Sequence, residues 1–385
     1  ENKMVAILIV TTILSSCGFV FASDISLSKK DNYNFKSEGD ILYVGGTGED
    51  NYSKISDAII DSNNGDTIFV YNGTYQENLV IDKSINLIGM NKESVIIDGQ
   101  GITNTITINA DRVKISNFTI INAIGSDIQD IFRAGIRITG SNNTITKNII
   151  KNNNIGIFIR RGSNEVIKDN IFFNNSIVIS PYDIDETDIP LKKTFFNNTI
   201  KNNTVNGKSI IYLKNKKNKI ISQNIGQLLI FNCSNLTVEN ISFSRCDFSL
   251  IMTYTDNCRI NNSEFVDDAD IWLIDCDNNI LTNNLMSKNF HGIALDYSSN
   301  NNILKYNNFS NNQLMGIMIE TYSNYNIIEN NNLINNKRGA YLLKSFKNKW
   351  NSNYWDKWIG LKHNVLSFFP QVITGTRFAS SFLIP

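Results

Sequence analysis

Asparagine returns along this chain at a nearly fixed interval, and that interval limits the fold more than any other feature. Asn148, Asn170, Asn240, Asn284, Asn307, Asn331 and Asn353 each open a short apolar run. Their spacings are 22, 70, 44, 23, 24 and 22 residues, so the two long gaps are near-multiples of the short one. A second series runs ahead of the first: Asn142, Asn164, Asn235, Asn257, Asp277, Asn300 and Asn324, each three residues before a β-branched residue. A period in the twenties marks a solenoid, in which each repeat buries its apolar side only by stacking on its neighbours.

One repeat, Gly292 to Gln313, consists of short apolar/polar alternations broken by polar clusters. Alternation with period two is strand, not helix. Three strands and three turns in 22 residues make one coil of a parallel β-helix. A leucine-rich repeat has a similar length but needs Leu at fixed offsets, where this chain carries Ile and Asn. Asn suits the corners because it tolerates the left-handed conformation and bonds its own backbone. In coils roughly 4.8 Å apart, equivalent amides can bond up and down the stack. The expected fold class is all-β, a single-stranded right-handed parallel β-helix of about a dozen coils. A short helix over Asn51 to Ser62, with Ile55, Ala58 and Ile59 on one face and Asn63-Asn64-Gly65 as its stop, is expected to cap the open N-terminal edge.

The ends of the chain carry different signals. Met4 to Phe21 is mostly apolar, follows Lys3 and precedes Ala22-Ser23, which fits a secretory signal over residues 1–22. Leu14-Ser15-Ser16-Cys17 also fits a lipidation box, and an uncleaved membrane anchor is the third alternative. All three export the rest of the chain. Residues 23–40 read as a flexible lead, 41–358 as the β-helix, and 359–385 as a C-terminal cap or tail. Lys+Arg and Asp+Glu are equal at 36 each, with no basic stripe, so nucleic acid is not an expected partner. Cys233, Cys246, Cys258 and Cys276 share no single repeat column in this frame and read as buried thiols, with a disulfide between coils as the alternative.

The stretch Asp66 to Gly99 resembles the opening of right-handed β-helices of the pectin-lyase-like superfamily. The repeats from Ala134 to Lys349, and the closing Asn353-Tyr354-Trp355-Asp356, resemble the NosD-type parallel β-helix family. The resemblance implies a periplasmic or cell-surface β-helix that binds or processes carbohydrate, or that assists copper delivery to nitrous oxide reductase. Copper enters by this resemblance alone: Met252, Met286, Met315 and Met318 are scattered, and His363 is far from His291 in sequence.

Two insertions, Ala123 to Arg133 and Tyr182 to Lys193, interrupt the period, and swollen loops on a rigid solenoid are where binding residues collect. Alternation places Asp296 and Glu320 on the outer side of successive coils, and the same frame places Asp275 in the coil before them. Three acids in one outer column could work as acid, base or nucleophile on a glycosidic bond, or could hold Ca²⁺ through carboxylate oxygens. His291 and Asp268 enter these coils, and Tyr297 and Tyr322 follow the acids as surfaces on which a sugar ring can stack. Asp267-Asp268 and His291-Gly292 resemble the Asp-Asp and His-Gly elements of β-helix polygalacturonases, but Leu304-Lys305-Tyr306 stands where their Arg-x-Lys clamp is sought. The expected function is an exported protein that binds polysaccharide or serves as an envelope scaffold. The alternatives are a hydrolase, lyase or epimerase using the acids (Asp275, Asp296, Glu320, with His291), and a NosD-like copper-site assembly factor.

Overall fold

The computed structural model of the 385-residue chain describes residues 39–125, 132–180 and 193–356. The signal-like segment, nearly all of the lead, the interiors of both insertions and the tail therefore lie outside the described residues. What is described is a right-handed parallel β-helix with one short α-helix. Each strand pairs in parallel with the strand about one repeat away: Ile303–Lys305 lies between Ile280–Thr282 and Ile327–Glu329 in register. Alternate side chains enter the core, so Leu281, Leu304 and Ile328 stack as one fully buried column.

Asparagine ladders hold the corners. Asn284, Asn307, Asn331 and Asn353 form one. The Oδ1 of Asn307, of Asn331 and of Asn353 accepts the backbone N–H of the Asn one coil earlier at 2.9–3.0 Å, and also that residue's Nδ2–H at 3.0–3.1 Å. Nδ2 of Asn307 also donates to the Leu281 carbonyl at 2.9 Å. These donors and acceptors are buried, and each would cost about 1–3 kcal/mol if left unpaired. Asn240 is not a rung of this ladder. It sits at a left-handed corner with φ 56°, and Ile241, followed by the hydroxyl of Ser263, holds the ladder position.

Thiols replace amides in the same role. The four described cysteines are buried and free. Sγ of Cys233 and of Cys258 accepts the N–H of Lys216 and Leu236 at 3.2 and 3.3 Å. The four do not share one column, but Cys233 and Cys276 fall in the same one, two coils apart, with Thr255 between them and Ser299 following, while Cys258 lies in another.

The capping helix runs Ile55–Asp61, shorter than Asn51 to Ser62, because Tyr52 is drawn into pairing with the first strand: its N–H reaches the Tyr43 carbonyl at 2.8 Å. The Glu77 carboxylate caps it, accepting the N–H groups of Ile55 and Ser56 at 2.8 and 2.9 Å. Ile55, Ala58 and Ile59 close the end of the core.

The solenoid contains one reversal. Thr204–Val205 pairs antiparallel with Lys208–Lys214 through a two-residue turn, Asn206-Gly207, whose φ values are 50° and 77°. Asn-Gly with both residues left-handed is the favoured tight hairpin. The 13-stranded sheet runs through this reversal, while each of the other four sheets belongs to one side of it. Parallel crossovers keep their right-handed sense. Reversing the strand direction therefore turns the coil to the opposite face of the shared sheet. The burial pattern agrees: Val205, Leu229, Phe231, Ile251 and Trp272 join the first core, while Leu228, Ile230, Leu250 and Ile271 join a second. The first core thus continues onto what is the outer face of the second stack.

One ladder position is acidic. Glu165 lies between Asn143 and Asn198, fully buried: its Oε2 accepts the Asn143 N–H at 3.0 Å, while its Oε1 and Asn143 Nδ2 have no partner. Burial pushes its carboxyl up to about 8, against the hydrogen bonds from Asn143. A folded-state value above the unfolded one means stability is fully present below about 4.5 and is lost as pH rises through about 8. The slope from this one group is about 1.4 kcal/mol per pH unit in that window. Glu165→Gln should flatten this slope and raise the denaturation midpoint at pH 9. A urea titration at pH 5 and pH 9 showing the same loss in the variant would refute the assignment.

Candidate functional site

Three outward columns climb the shared sheet on the side of the first core. The first is Phe231, Thr253, Ile274, Asp296, Glu320 and Leu343. The second is Leu229, Ile251, Trp272, Ala294, Met318 and Tyr341. The third joins Phe248 to Asp270, then His291, Met315 and Arg338. All three begin apolar, where the first stack covers them; the first turns polar at Asp296 and Glu320 and the third at Asp270, His291 and Arg338, while the second carries Trp272, Ala294, Met318 and Tyr341. The polar groups stand on the ledge where that cover ends.

Asp296 and Glu320 are neighbours in one column, since Leu295 pairs with Ile319 immediately before them. Asp275 is not in it: Ile274 pairs with Asp296, and Asp275 falls one residue later, at a left-handed corner with φ 51°. The displacement has a physical cause. The corner from Asp296 to Ser299 holds one residue more than the corner from Ile274 to Cys276, although Ser299 and Cys276 are joined rung to rung. The corner from Glu320 to Ser323 is equally long. The extra residue produces two consecutive left-handed positions, Tyr297-Ser298 (φ 47°, 63°) and Thr321-Tyr322 (φ 51°, 65°). Such conformations are costly for residues other than Gly, and they cluster at functional sites. In the sequence, the lengthening of the Asn interval to 23 and 24 was the only signal of it.

The two acids are outward in register yet shielded. Asp296 is 5% exposed, and burial pushes its carboxyl up to about 6, moderated by hydrogen bonds from Thr321 and the Tyr297 N–H and by the nearby Trp272 indole. That indole Nε1 is itself buried without closing a hydrogen bond. Glu320 is pushed up to about 7, first by burial and then by the Asp296 charge, while His291 pulls it down. His291 is nearly buried. It begins a strand, and its Nδ1 lies 3.2 Å from Asp270 Oδ2. Asp268 accepts Gln313 Nε2 at 3.2 Å, and burial and Asp270 raise it. Tyr297 packs against the first core, whereas Tyr322 is exposed. The residues the sequence did not single out are Trp272 and Tyr341, and the pairing of Asp270 with His291 was not foreseen. They become visible only once the columns are in register.

The described ends of both insertions reach this side. Phe132 stacks on Phe158 and leans on Trp272, with centroids 5.6 and 6.3 Å apart. Lys193 lies 4.9 Å above the Tyr254 ring and favours the charged form of Asp275, whose carboxyl is raised chiefly by burial.

Among the described residues, no group of three or more His, Cys, Asp or Glu could hold a metal ion. A Ca²⁺ site on three stacked acids loses its third ligand with Asp275. The thiols do not suit copper, because burial raises Cys233, Cys246, Cys258 and Cys276, and the metal ligand is the thiolate. His291 and Met315, paired in adjacent coils, and Met318 in the neighbouring column are the soft donors that share the ledge.

Fold and columns define the class, a parallel β-helix of the pectin-lyase-like fold. Residues 186–358 match the family model described as "Periplasmic copper-binding protein (NosD)", and this repeat region is of the NosD type. No curated protein matches the chain significantly. Similar solved structures include a pectin methylesterase from Aspergillus niger, at 14% identity over 82% of this chain and 86% of that one, with TM-score 0.25. Another is the A-module of a mannuronan C-5 epimerase from Azotobacter vinelandii, at 12% over 78% and 90%, TM-score 0.33. A third is a lacto-N-biosidase from Eubacterium ramulus, at 10% over 81% and 68%, TM-score 0.31. At such scores these likenesses say nothing of what this chain does.

The coupling of the acids can be measured directly. Asp296→Asn should move the Glu320 midpoint down from about 7, because the neighbouring charge is gone. Carbon-13 carboxyl titration by NMR reads it, and an unmoved midpoint would show that the two do not sense each other.

Proposed function

We propose that this protein is an exported β-helix that binds a neutral glycan on the ledge and cleaves it with Asp296 and Glu320 as the working carboxyl pair. The observation that carries the reading is their placement in adjacent coils with midpoints of about 6 and about 7. Coils stacked roughly 4.8 Å apart set the carboxyls near the roughly 5–5.5 Å used in cleavage with retention of configuration. Near-neutral midpoints let one group donate a proton while the other stays ionised. The acids Asp268 and Asp270 on the same side disfavour a uronate polymer, whose carboxylates they would repel. Exposed Tyr322 offers a ring for stacking on a sugar face. The apolar N-terminal segment and the periplasmic description of the matched family support export.

Reducing-end release from neutral and uronate polymers tests this. The parent protein should act on a neutral polymer with a bell-shaped pH profile centred between about 6 and 7. Glu320→Gln and Asp296→Asn should each lower turnover by about 100-fold or more while binding persists. Neither release nor binding on any polymer would sink the reading.

The shared placement of His291, Met315 and Met318 favours one other reading, a copper-carrying role in line with the matched family's description. These three would hold Cu(I), whose soft character suits thioether and imidazole. Titration against a chromophoric Cu(I) chelator should then show one equivalent bound, lost in Met315→Leu. The same affinity in parent and variant removes it.

A further inference from the structure

The ledge contains a second buried pair that the acid mechanism does not use. Asp270 is 4% exposed and His291 9%. A single oxygen, Asp270 Oδ2, accepts the His291 backbone N–H at 3.0 Å and faces its Nδ1 at 3.2 Å. The first contact anchors the carboxylate to the strand, and the second orients the ring. Phe290 stands edge-on to that ring at 4.7 Å, closing one side. With Nδ1 committed to a carboxylate, the neutral imidazole carries its proton there and leaves the lone pair on Nε2.

Nε2 has no hydrogen-bond partner among the described residues, and 11% of the side chain remains open. His291 opens the strand that ends on Asp296 and pairs with Met315, which opens the strand that ends on Glu320, so the ring stands on the same two coils as the acid pair, at the other end of their strands. A pair serving only to staple coils would use all its polar atoms, as Asn307 does. Here Asp270 Oδ1 is buried with no partner at all. The cost of burying that carboxylate is therefore not returned by sheet bonding, and it is spent on holding one ring in one orientation.

Building on the glycan reading above, we propose that His291 contacts the bound sugar, accepting a hydroxyl hydrogen bond at Nε2, and that Asp270 is the positioning residue that fixes the Nδ1–H form. The ligand class this selects is a neutral glycan chain long enough to reach from Asp296 and Glu320 along these strands to His291, with a free hydroxyl there. A uronate at that position would meet the Asp270 charge instead.

The chain has two histidines, so a His363→Gln background leaves His291 as the only imidazole signal. A long-range proton–nitrogen NMR spectrum of the full chain at pH 8 should show the Nδ1–H tautomer, becoming mixed in Asp270→Asn. Binding of neutral oligosaccharides, followed by calorimetry, should weaken at least tenfold in His291→Phe, with a smaller loss in Asp270→Asn and an unchanged thermal midpoint in both. A dominant Nε2–H tautomer in the parent would overturn the assignment. So would neutral-sugar binding that survives His291→Phe undiminished. If the parent binds no neutral oligosaccharide, the glycan reading itself falls and the contact with it. Parent binding and release of a neutral polymer, with turnover lost in Glu320→Gln but binding kept in His291→Phe, removes this inference alone.

Discussion

Everything in this molecule depends on the bond between the backbone N–H at a corner and the side-chain oxygen one coil further on. A parallel β-helix brings its chain through three corners per coil, and each corner buries backbone donors that no sheet partner can reach. Asn answers this with one side chain: Oδ1 takes the N–H and amide of the coil before, and Nδ2 returns to a carbonyl, as Asn307 does with Asn284 and Leu281. Ser263, Thr255 and the thiols of Cys233 and Cys258 meet the same requirement with less capacity. The requirement is for an acceptor at fixed height, not for an amide. That is why the cysteines are free and buried rather than bridged.

Because the ladders impose register, small changes in corner length have large lateral effects. The corners after Asp296 and Glu320 each hold one residue more than the corner after Ile274. The surplus is absorbed as a second left-handed residue, and the acids stay in line while the tyrosines swing outward or inward. Strain, shielded carboxyls and an unpaired indole therefore coincide on two adjacent coils. Such a coincidence is where function is expected to concentrate.

The solenoid was legible because its period and its alternation are properties of residue type along the chain, and a stack needs nothing else. Column membership was less so. A frame drawn from Asn positions put Asp275 with Asp296 and Glu320 and took Asn240 for a ladder rung, because it could not see where a corner gains a residue. The pairing of Asp270 with His291 was hidden for a related reason: the strand of Asp270 lacks the Gly that precedes Ile293 in the next coil, so the two align only in space. The reversal was written plainly, as Thr204-Val205-Asn206-Gly207-Lys208-Ser209, two strand-like pairs around an Asn-Gly turn. It was overlooked because a strict period leads one to expect every strand to run the same way.

That reversal is what gives the molecule a site at all. In an uninterrupted β-helix the outer face of a sheet is open to water along its whole length, and acids there titrate normally and stay well hydrated. Here the hairpin carries the second stack to the other side of the shared sheet, so the first core continues over the outer face of the early second-stack strands. Column by column, Phe231, Leu229 and Phe248 give way to Asp296, Trp272 and Asp270 within one to three coils. Carboxyls at that margin are near enough to the apolar cover to be desolvated, yet Glu320 and His291 keep part of their surface open. The perturbed acids are thus a consequence of topology. One tight turn moves the core across the sheet, and the edge of that displaced core creates the low-dielectric ledge on which proton chemistry near neutral pH becomes feasible.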